Sequence, residues 1–412
     1  MENKLFTKDF TLVVIGQIIS LFGNAVIRFA LPLYLLNQTG SSALFGAVLA
    51  CANVPMILLS PVGGLVADRV NKRNVMVILD FSTAGLILLF LLLMNRVNLV
   101  LLLTLILMVL NGIAGAYQPT VQASIPALTK QEQLTRANAL INVISSFASL
   151  SGPVLGGILY STYGIFPVLV ICIVSFVLSA VMELFIMIPY QRREEDVNLL
   201  QTARRDMAES IRFVHRDKPI LEKGLFVICG INMFLSAMII VALPYLITEV
   251  LSFPEAQANG LYGYAQGALA AGGIAGGIGA GILADRLQAA KSGNLLIIAS
   301  ICVFPIGIVL WLSNFNMIIY WTITVCCFVI MLVATVFNVQ MITFVQAQTP
   351  QNLIGKVMAV MMAGTMCAQP LGSAMYGFLF EFCEGHEEMA IFFAGTVSLV
   401  IALKTRKVFL AL

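Results

Sequence analysis

Three ionisable side chains stand inside long apolar runs of this chain: Arg28, Asp80 and Glu183. Charge in such surroundings is costly, which makes each of them a candidate for function. A carboxyl withdrawn from water holds its proton more tightly, and a proton carrier needs that property. Asp80 and Glu183 are therefore proton-coupling candidates. Each also has a plainer role open to it. Asp80 fits a structural acid bonding the nearby Arg69–Arg73 loop, and Glu183 an interfacial acid reaching water. Arg28 lies about 27 Å along its run, at 1.5 Å per residue, in the half away from both acids. It is expected to pair with neither. It suits an anionic ligand or a role in holding helices together.

Amides and hydroxyls form a second set. Gln17, Ser20, Asn24 and Arg28 follow one another at steps of 3, 4 and 4, one face of a helix. Asn111, Gly115, Gln118 and Gln122 do the same. Asn142 with Ser145, Ser146 and Ser149, Asn232 with Ser236, and Asn338 with Thr335 and Gln346 are further clusters, and Gln369 stands beside Pro370. Such groups cannot face lipid cheaply, so they point at water, a solute or another helix. The aligned stripes at 17–28 and 111–122 favour a cavity.

Other chemistries lack their residues. The two histidines are far apart, and no cluster has metal-ligand spacing. Seven of eight cysteines sit in apolar runs without framework spacing. The glycines from Gly263 to Gly281 include a G-x-G-x-G fragment, but it lies within an apolar span and follows no strand, so close helix packing explains it. The sequence contains no Gly-Lys-Ser/Thr phosphate loop. No catalytic residue, cofactor, resident metal or nucleic-acid partner is expected; the chain does not read as an enzyme.

The elements that must position these residues follow from composition. Of 412 residues, 60% are hydrophobic and 10% charged, with mean hydropathy +0.97. A soluble domain carries roughly 25% charged residues, so this chain is built for lipid. A membrane-spanning helix needs about 20 mostly apolar residues. Twelve runs qualify: 10–36, 43–67, 74–94, 99–118, 138–160, 164–188, 221–247, 256–284, 293–313, 316–346, 353–380 and 388–403. Of the 23 Lys and Arg, 21 fall in segments assigned to one side, Arg96 alone to the other, and Arg28 within a span. That bias places both termini in the cytoplasm of a multi-pass protein of the plasma (inner) membrane. Residues 190–220 form the one long polar stretch. Leu200, Ala203, Met207, Ile211 and Val214 recur in it at helical steps, which predicts an amphipathic surface helix. The expected organisation is a six-helix bundle over 1–189, a linker over 190–220 and a second bundle over 221–412.

The two halves echo each other. Gly64-Leu65-Val66-Ala67-Asp68-Arg69 returns as Gly281-Ile282-Leu283-Ala284-Asp285-Arg286, with the acids 217 residues apart. Gly152-Pro153 and Gln369-Pro370 keep the same offset between prolines, as a duplicated half-protein would.

Twelve spans in two such halves resemble the major facilitator superfamily. That family's loop between helices 2 and 3 reads G-x-L-A-D-R-x-G-R-K. Gly64, Ala67, Asp68, Arg69, Lys72 and Arg73 fit it, whereas Val66 and Asn71 depart from it. The second copy matches through Arg286 but lacks the trailing basic pair. Gly152-Pro153-x-x-Gly156-Gly157 looks like the exporter-associated motif, with its first glycines missing. Thr39-Gly40-Ser41, Ser124-Ile125-Pro126-Ala127-Leu128 and Leu134-Thr135-Arg136-Ala137-Asn138 look like the macrolide-efflux and enterobactin-export branch. One departure matters: no arginine precedes Gly112 in helix 4, so a coupling scheme built on that arginine does not carry over.

The resemblance implies an all-α membrane fold whose helices 1, 4, 7 and 10 line a central cavity. It implies that Gln17, Asn24, Arg28, Asn111, Gln118, Asn142, Asn232, Asn338 and Gln369 lie on the substrate pathway. Gating falls to Gly64, Asp68, Arg69, Arg73, Gly152, Pro153, Gly281, Asp285 and Arg286. The duplication would set Asp68 beside the start of helix 11 and Asp285 beside the start of helix 5, where a carboxylate meets free N–H groups and the positive end of the dipole. The expected function is secondary active efflux of a small lipophilic or amphipathic, drug- or macrolide-like compound. Its expected form is alternating access and proton antiport by a monomer. An importer on the same fold and a non-transporting membrane regulator or assembly factor are the alternatives.

Overall fold

The computed structural model describes residues 7–69, 71–129, 133–187, 212–282, 292–350 and 353–410. Among them the chain forms twelve long helices and no strand. These are α1 (Lys8–Thr39), α2 (Ser42–Arg69), α3 (Lys72–Leu93), α4 (Leu99–Leu128), α5 (Leu134–Tyr163) and α6 (Ile165–Leu184). They continue as α7 (Pro219–Val250), α8 (Glu255–Ile282), α9 (Gly293–Leu312), α10 (Asn316–Gln348), α11 (Ile354–Phe382) and α12 (Glu387–Leu410). Each coincides with one of the twelve apolar runs. Ten are long and apolar enough to cross a membrane. In α2 the described apolar stretch is shorter, Ser42–Ile57. α11 is more polar, with Thr365, Gln369 and Ser373 on successive turns.

Local chemistry sets the ends. Thr7 caps α1 by accepting from the Phe10 N–H at 3.2 Å, and Asn71 and Asn98 cap α3 and α4 in the same way. Gly40, at φ 61°, closes α1 in the left-handed conformation that a side chain would disfavour. Two helices are irregular. α9 breaks at Cys302–Val303, since Pro305 has no N–H to give the carbonyl of Ile301 and crowds it. α7 carries a π-helical turn at Asn232–Ser236 and another at Leu246–Val250. Such turns are rare and often accompany function.

The chain divides into two compact units: Met1–Gly40, Val48–Glu194 and Phe253–Gly267 in the first; Ser41–Ala47, Glu195–Ser252 and Ala268–Leu412 in the second. The division leaves the first residues of α2 in the second unit and the start of α8 in the first. The amphipathic segment expected at 200–214 lies outside the described residues up to 211.

In the first unit α1 packs on α5 and α6, and α3 on α4 and α6. Lipid tails are as apolar as leucine, so close contact between small residues does much of the work. A Cβ on Gly152 of α5 would come within 2.2 Å of the Ala25 Cβ on α1. Phe10, Phe90 and Phe176 fill the interior. In the second unit α9 packs on α10 and α12, and α11 on α7. There Glu381, in the last turn of α11, caps the first turn of α2. Its Oε2 accepts from Ser41 Oγ at 2.5 Å and from the Ala43 N–H at 3.1 Å, a carboxylate at the positive end of a helix.

Candidate functional site

Each unit holds a polar site. In the first, helical spacing lays Gln17, Ser20, Asn24 and Arg28 along one face of α1, and α3, α4 and α6 bring their own polar groups to its lower part. The Gln17 amide Nε2 donates to the Tyr117 hydroxyl of α4 at 2.7 Å. Tyr117 in turn donates to Glu183 Oε1 of α6 at 2.8 Å. Ser20 Oγ donates to Asp80 Oδ1 of α3 at 3.2 Å. Ser179, one turn before Glu183, donates to the Gly16 carbonyl at 3.1 Å and also lies within hydrogen-bond reach of Asp80.

This network is buried. Gln17 and Glu183 are each 1% exposed and Asp80 2%. Glu183 is thus not an interfacial acid reaching water; it sits inside the α1–α3–α6 packing. Of the basic loop, Arg73 turns away from Asp80, and its Nη2 donates to the Leu184 carbonyl, capping α6; the Arg69 side chain lies outside the described residues. Arg28 and Asp80 line a single cavity of about 20 Å³ with Asn24, Thr83, Asn111 and Tyr117. Side chains on a helix lean towards its N-terminus, so Arg28 reaches back along α1 further than its position suggests. It nevertheless forms no ion pair with either acid. Asn111 Nδ2 donates to the Ala52 carbonyl at 3.0 Å and ties α4 to α2.

The second unit has a wider cavity of about 290 Å³ between α7, α10 and α11. Asn232, Asn338 and Gln369, expected on a pathway from sequence, all line it, together with Ser236, Thr335 and Thr365. Met331, Met366 and Phe337 supply its apolar wall, and among the described residues no ionisable side chain lines it. The π-turn of α7 begins at Asn232 and ends at Ser236, so the irregular backbone coincides with the two polar groups it presents.

The proposed gate is described in part. The side chains of Gly64, Asp68, Arg69, Gln118 and Asn142, and all of Asp285 and Arg286, lie outside the described residues. Gly152 is buried against α1, and the Pro153 carbonyl would lie 2.9 Å from a Cβ on Gly263. A Cβ on Gly281 would meet no described neighbour within 4 Å.

Sequence reasoning missed Tyr117, Ser179 and Thr83. Tyr117 had a signal: it precedes Gln118 in an otherwise apolar run, and a buried tyrosine hydroxyl needs a partner. Ser179 had one too, four residues before Glu183 on the same helix face.

A profile of the Major Facilitator Superfamily matches residues 13–373. Macrolide efflux protein A of Streptococcus pyogenes is 21% identical over 362 residues, covering 87% of this chain and 85% of that protein. Multidrug efflux pump Tap of Mycobacterium bovis (strain BCG / Pasteur 1173P2) is 23% identical over 386 residues, 89% and 85% of the two chains. Among solved structures, the nucleoside transporter NupG superposes with a TM-score of 0.77 at 12% identity, covering 98% of this chain and 99% of that one. A bacterial homologue of the iron transporter ferroportin, inward-facing, gives 0.70 at 18% identity, with 98% of each chain covered. These likenesses share the helical membrane fold and span nearly the whole sequence. The chain belongs to the Major Facilitator Superfamily and is a multi-pass membrane transporter, not an enzyme.

Proposed function

We propose that this transporter exports small lipophilic or amphipathic compounds, drug- or macrolide-like, out of the cell by alternating access and proton antiport. The observation that carries the reading is the chemistry of the cavity in the second unit. Met331, Met366 and Phe337 offer soft, adaptable apolar contact, and Asn232, Asn338 and Gln369 offer hydrogen bonds without charge. A neutral or weakly polar solute meets no desolvated charge there. A strongly charged one would find no counter-ion on that wall.

Outward direction is supported by the Gly152-Pro153 motif and by the efflux relatives. Proton coupling is supported by Asp80 and Glu183, two buried acids with no ion-pair partner among the described residues. Asp68 and Asp285 are assigned as charge latches against helix N-termini, with Gly64, Arg69, Arg73, Gly281 and Arg286 shaping their loops. Both termini are assigned to the cytoplasm of the plasma membrane, and the working unit to a monomer.

The test is accumulation of a panel of labelled amphipathic compounds in cells with and without the protein. Expression should lower the steady-state level of some of them at least several-fold, and an uncoupler should restore it. Raised accumulation would establish the importer instead. No change for any compound, with the protein folded in the membrane, would favour a regulator that has lost transport.

A further inference from the structure

We propose that Asp80 and Glu183 form one proton-binding site that holds two protons when full and exchanges only one of them. The inference rests on the reading of these acids as coupling groups and adds what they do together.

Geometry joins them. Ser179, within hydrogen-bond reach of the Asp80 carboxyl, stands one turn from Glu183 on α6. Ser20 donates to Asp80, while Tyr117 donates to Glu183. Tyr117 and Ser20 are themselves within hydrogen-bond reach of each other. The two carboxyls are thus linked through α1, α4 and α6 in a buried pocket.

The pocket is rich in acceptors and poor in hydrogens. Asp80 Oδ2, Glu183 Oε2 and Gln17 Oε1 are all buried without a hydrogen-bond partner. The Gln17 amide is oriented by the chain running from Gln17 Nε2 through Tyr117 to Glu183 Oε1, so its oxygen is left over. Three orphaned acceptors call for added protons; the orphaned donor in this unit, Arg73 Nε, belongs to a guanidinium turned to the Leu184 carbonyl.

Charge sets the number that moves. Around the pair, α4 contributes Tyr117, α1 contributes Arg28 at the edge of the Asp80 cavity, and α3 contributes Arg73, turned to the Leu184 carbonyl. α5, which also packs on α6, carries Tyr160 and Tyr163 in its last turn, where Tyr160 accepts from Asn37. Among the described residues no cation pairs with either acid within 4 Å. One carboxylate can be held in this pocket by the donors Ser20 and Tyr117. A second beside it would add like-charge repulsion in a medium that screens poorly. The first proton leaves, and the second is retained because the first has gone.

The test counts carboxyl protons directly. Full-length protein in lipid nanodiscs is titrated across the pH range in which it stays folded. The carbonyl stretching band of protonated carboxyl groups is followed by infrared difference spectroscopy and calibrated on the amide band. Wild type should lose the band of one buried carboxyl. Asp80→Asn and Glu183→Gln should each still lose one, and the double variant none. Loss of two in wild type would make the acids independent, and loss of none would make them permanently neutral; either overturns the proposal. The wild-type count decides even if a variant fails to fold. Transport that an uncoupler abolishes, alongside a count of two, would sink the shared site and leave proton coupling standing. A count of one without proton-driven transport would do the reverse.

Discussion

Gly46 of α2 and Gly377 of α11 approach so closely that a Cβ on Gly46 would lie 2.9 Å from the Gly377 Cα, and the reverse distance is 3.0 Å. The contact has a twin in the other unit. Gly263 of α8 stands 217 residues after Gly46, the offset that separates Asp68 from Asp285. A Cβ on Gly263 would lie 3.1 Å from the Gly157 Cα of α5. Gly377 stands 220 residues after Gly157, so the two backbone-on-backbone contacts repeat to within one helical turn.

Any side chain at these positions meets backbone, which cannot swing aside. In Gly46→Leu the new Cβ would fall 2.3 Å from the Ser373 carbonyl oxygen. Overpacking of this kind costs about 1–3 kcal/mol, sometimes more. Gly46→Leu and Gly263→Leu should both unfold at lower temperature than the parent in detergent. Gly277→Leu, with nothing within 4 Å, is the control and should not. Equal melting temperatures for all three would mean that the close approach is not needed for stability.

The uncharged wall predicts how specificity divides. Asn232→Leu, Asn338→Leu and Gln369→Leu each remove one polar group from the 290 Å³ cavity and leave its apolar part. Losing a hydrogen bond to a solute costs about 0.5–1.5 kcal/mol, roughly a twofold to tenfold change in apparent affinity. Polar members of a compound panel should lose transport by that factor, and the most lipophilic members should not. A uniform loss across the panel would point to damaged folding or conformational change instead of lost recognition.

Tyr117→Phe probes the buried network through stability. It keeps the ring but strands the Gln17 Nε2 donor and the Glu183 Oε1 acceptor, both away from water. Leaving such groups unpaired costs about 1–3 kcal/mol. Thermal unfolding should show the loss, and Tyr163→Phe, at an exposed position, should not.

The fold was almost wholly legible because lipid imposes one rule, about 20 apolar residues per crossing, and the sequence obeys it. What hydropathy could not supply is where a helix ends beyond the apolar stretch. α4 continues ten residues past its apolar run, from Pro119 to Leu128, because the helix outlasts its apolar face. Sites were harder. Asp80 and Glu183 stood at matching depths in two runs, but depth alone does not say that α3 and α6 are neighbours. Asn232, Asn338 and Gln369 were found as polar interruptions. That they share one cavity depends on packing, and the π-turn that presents Asn232 and Ser236 follows from no local residue pattern.

Orientation rests on the 21-to-1 distribution of Lys and Arg. In a cysteine-free variant, single cysteines at residue 95 and at residue 195 should respond differently to an impermeant thiol reagent on intact cells. Only the former should be labelled. Labelling at residue 195 in sealed cells would invert the topology and, with it, the assigned direction of transport.

Asp68, in the last turn of α2, supports the most demanding prediction, because it ties one residue to one state of the cycle. α11 begins at Ile354, and the leucine at its cap position, Leu353, has no side-chain acceptor to offer the free N–H groups of the first turn. A carboxylate from elsewhere suits that end, and Asp68 is the proposed donor of charge. Asp68→Asn keeps size and hydrogen-bonding capacity while removing the charge. A charge at a helix end is worth about 0.3–1 kcal/mol when exposed and up to ~2 when partly buried. Since about 1.4 kcal/mol is tenfold in an equilibrium, the two-state balance should shift by roughly twofold to thirtyfold. The variant should insert normally, populate the cytoplasm-open state more, and transport more slowly. Thiol accessibility of cysteines placed at the inner ends of α2 and α11 would report the shift, beside the parent and Asp285→Asn. Unchanged accessibility with full transport would leave Asp68 an ordinary acid, and its recurrence at position 285 would need another cause.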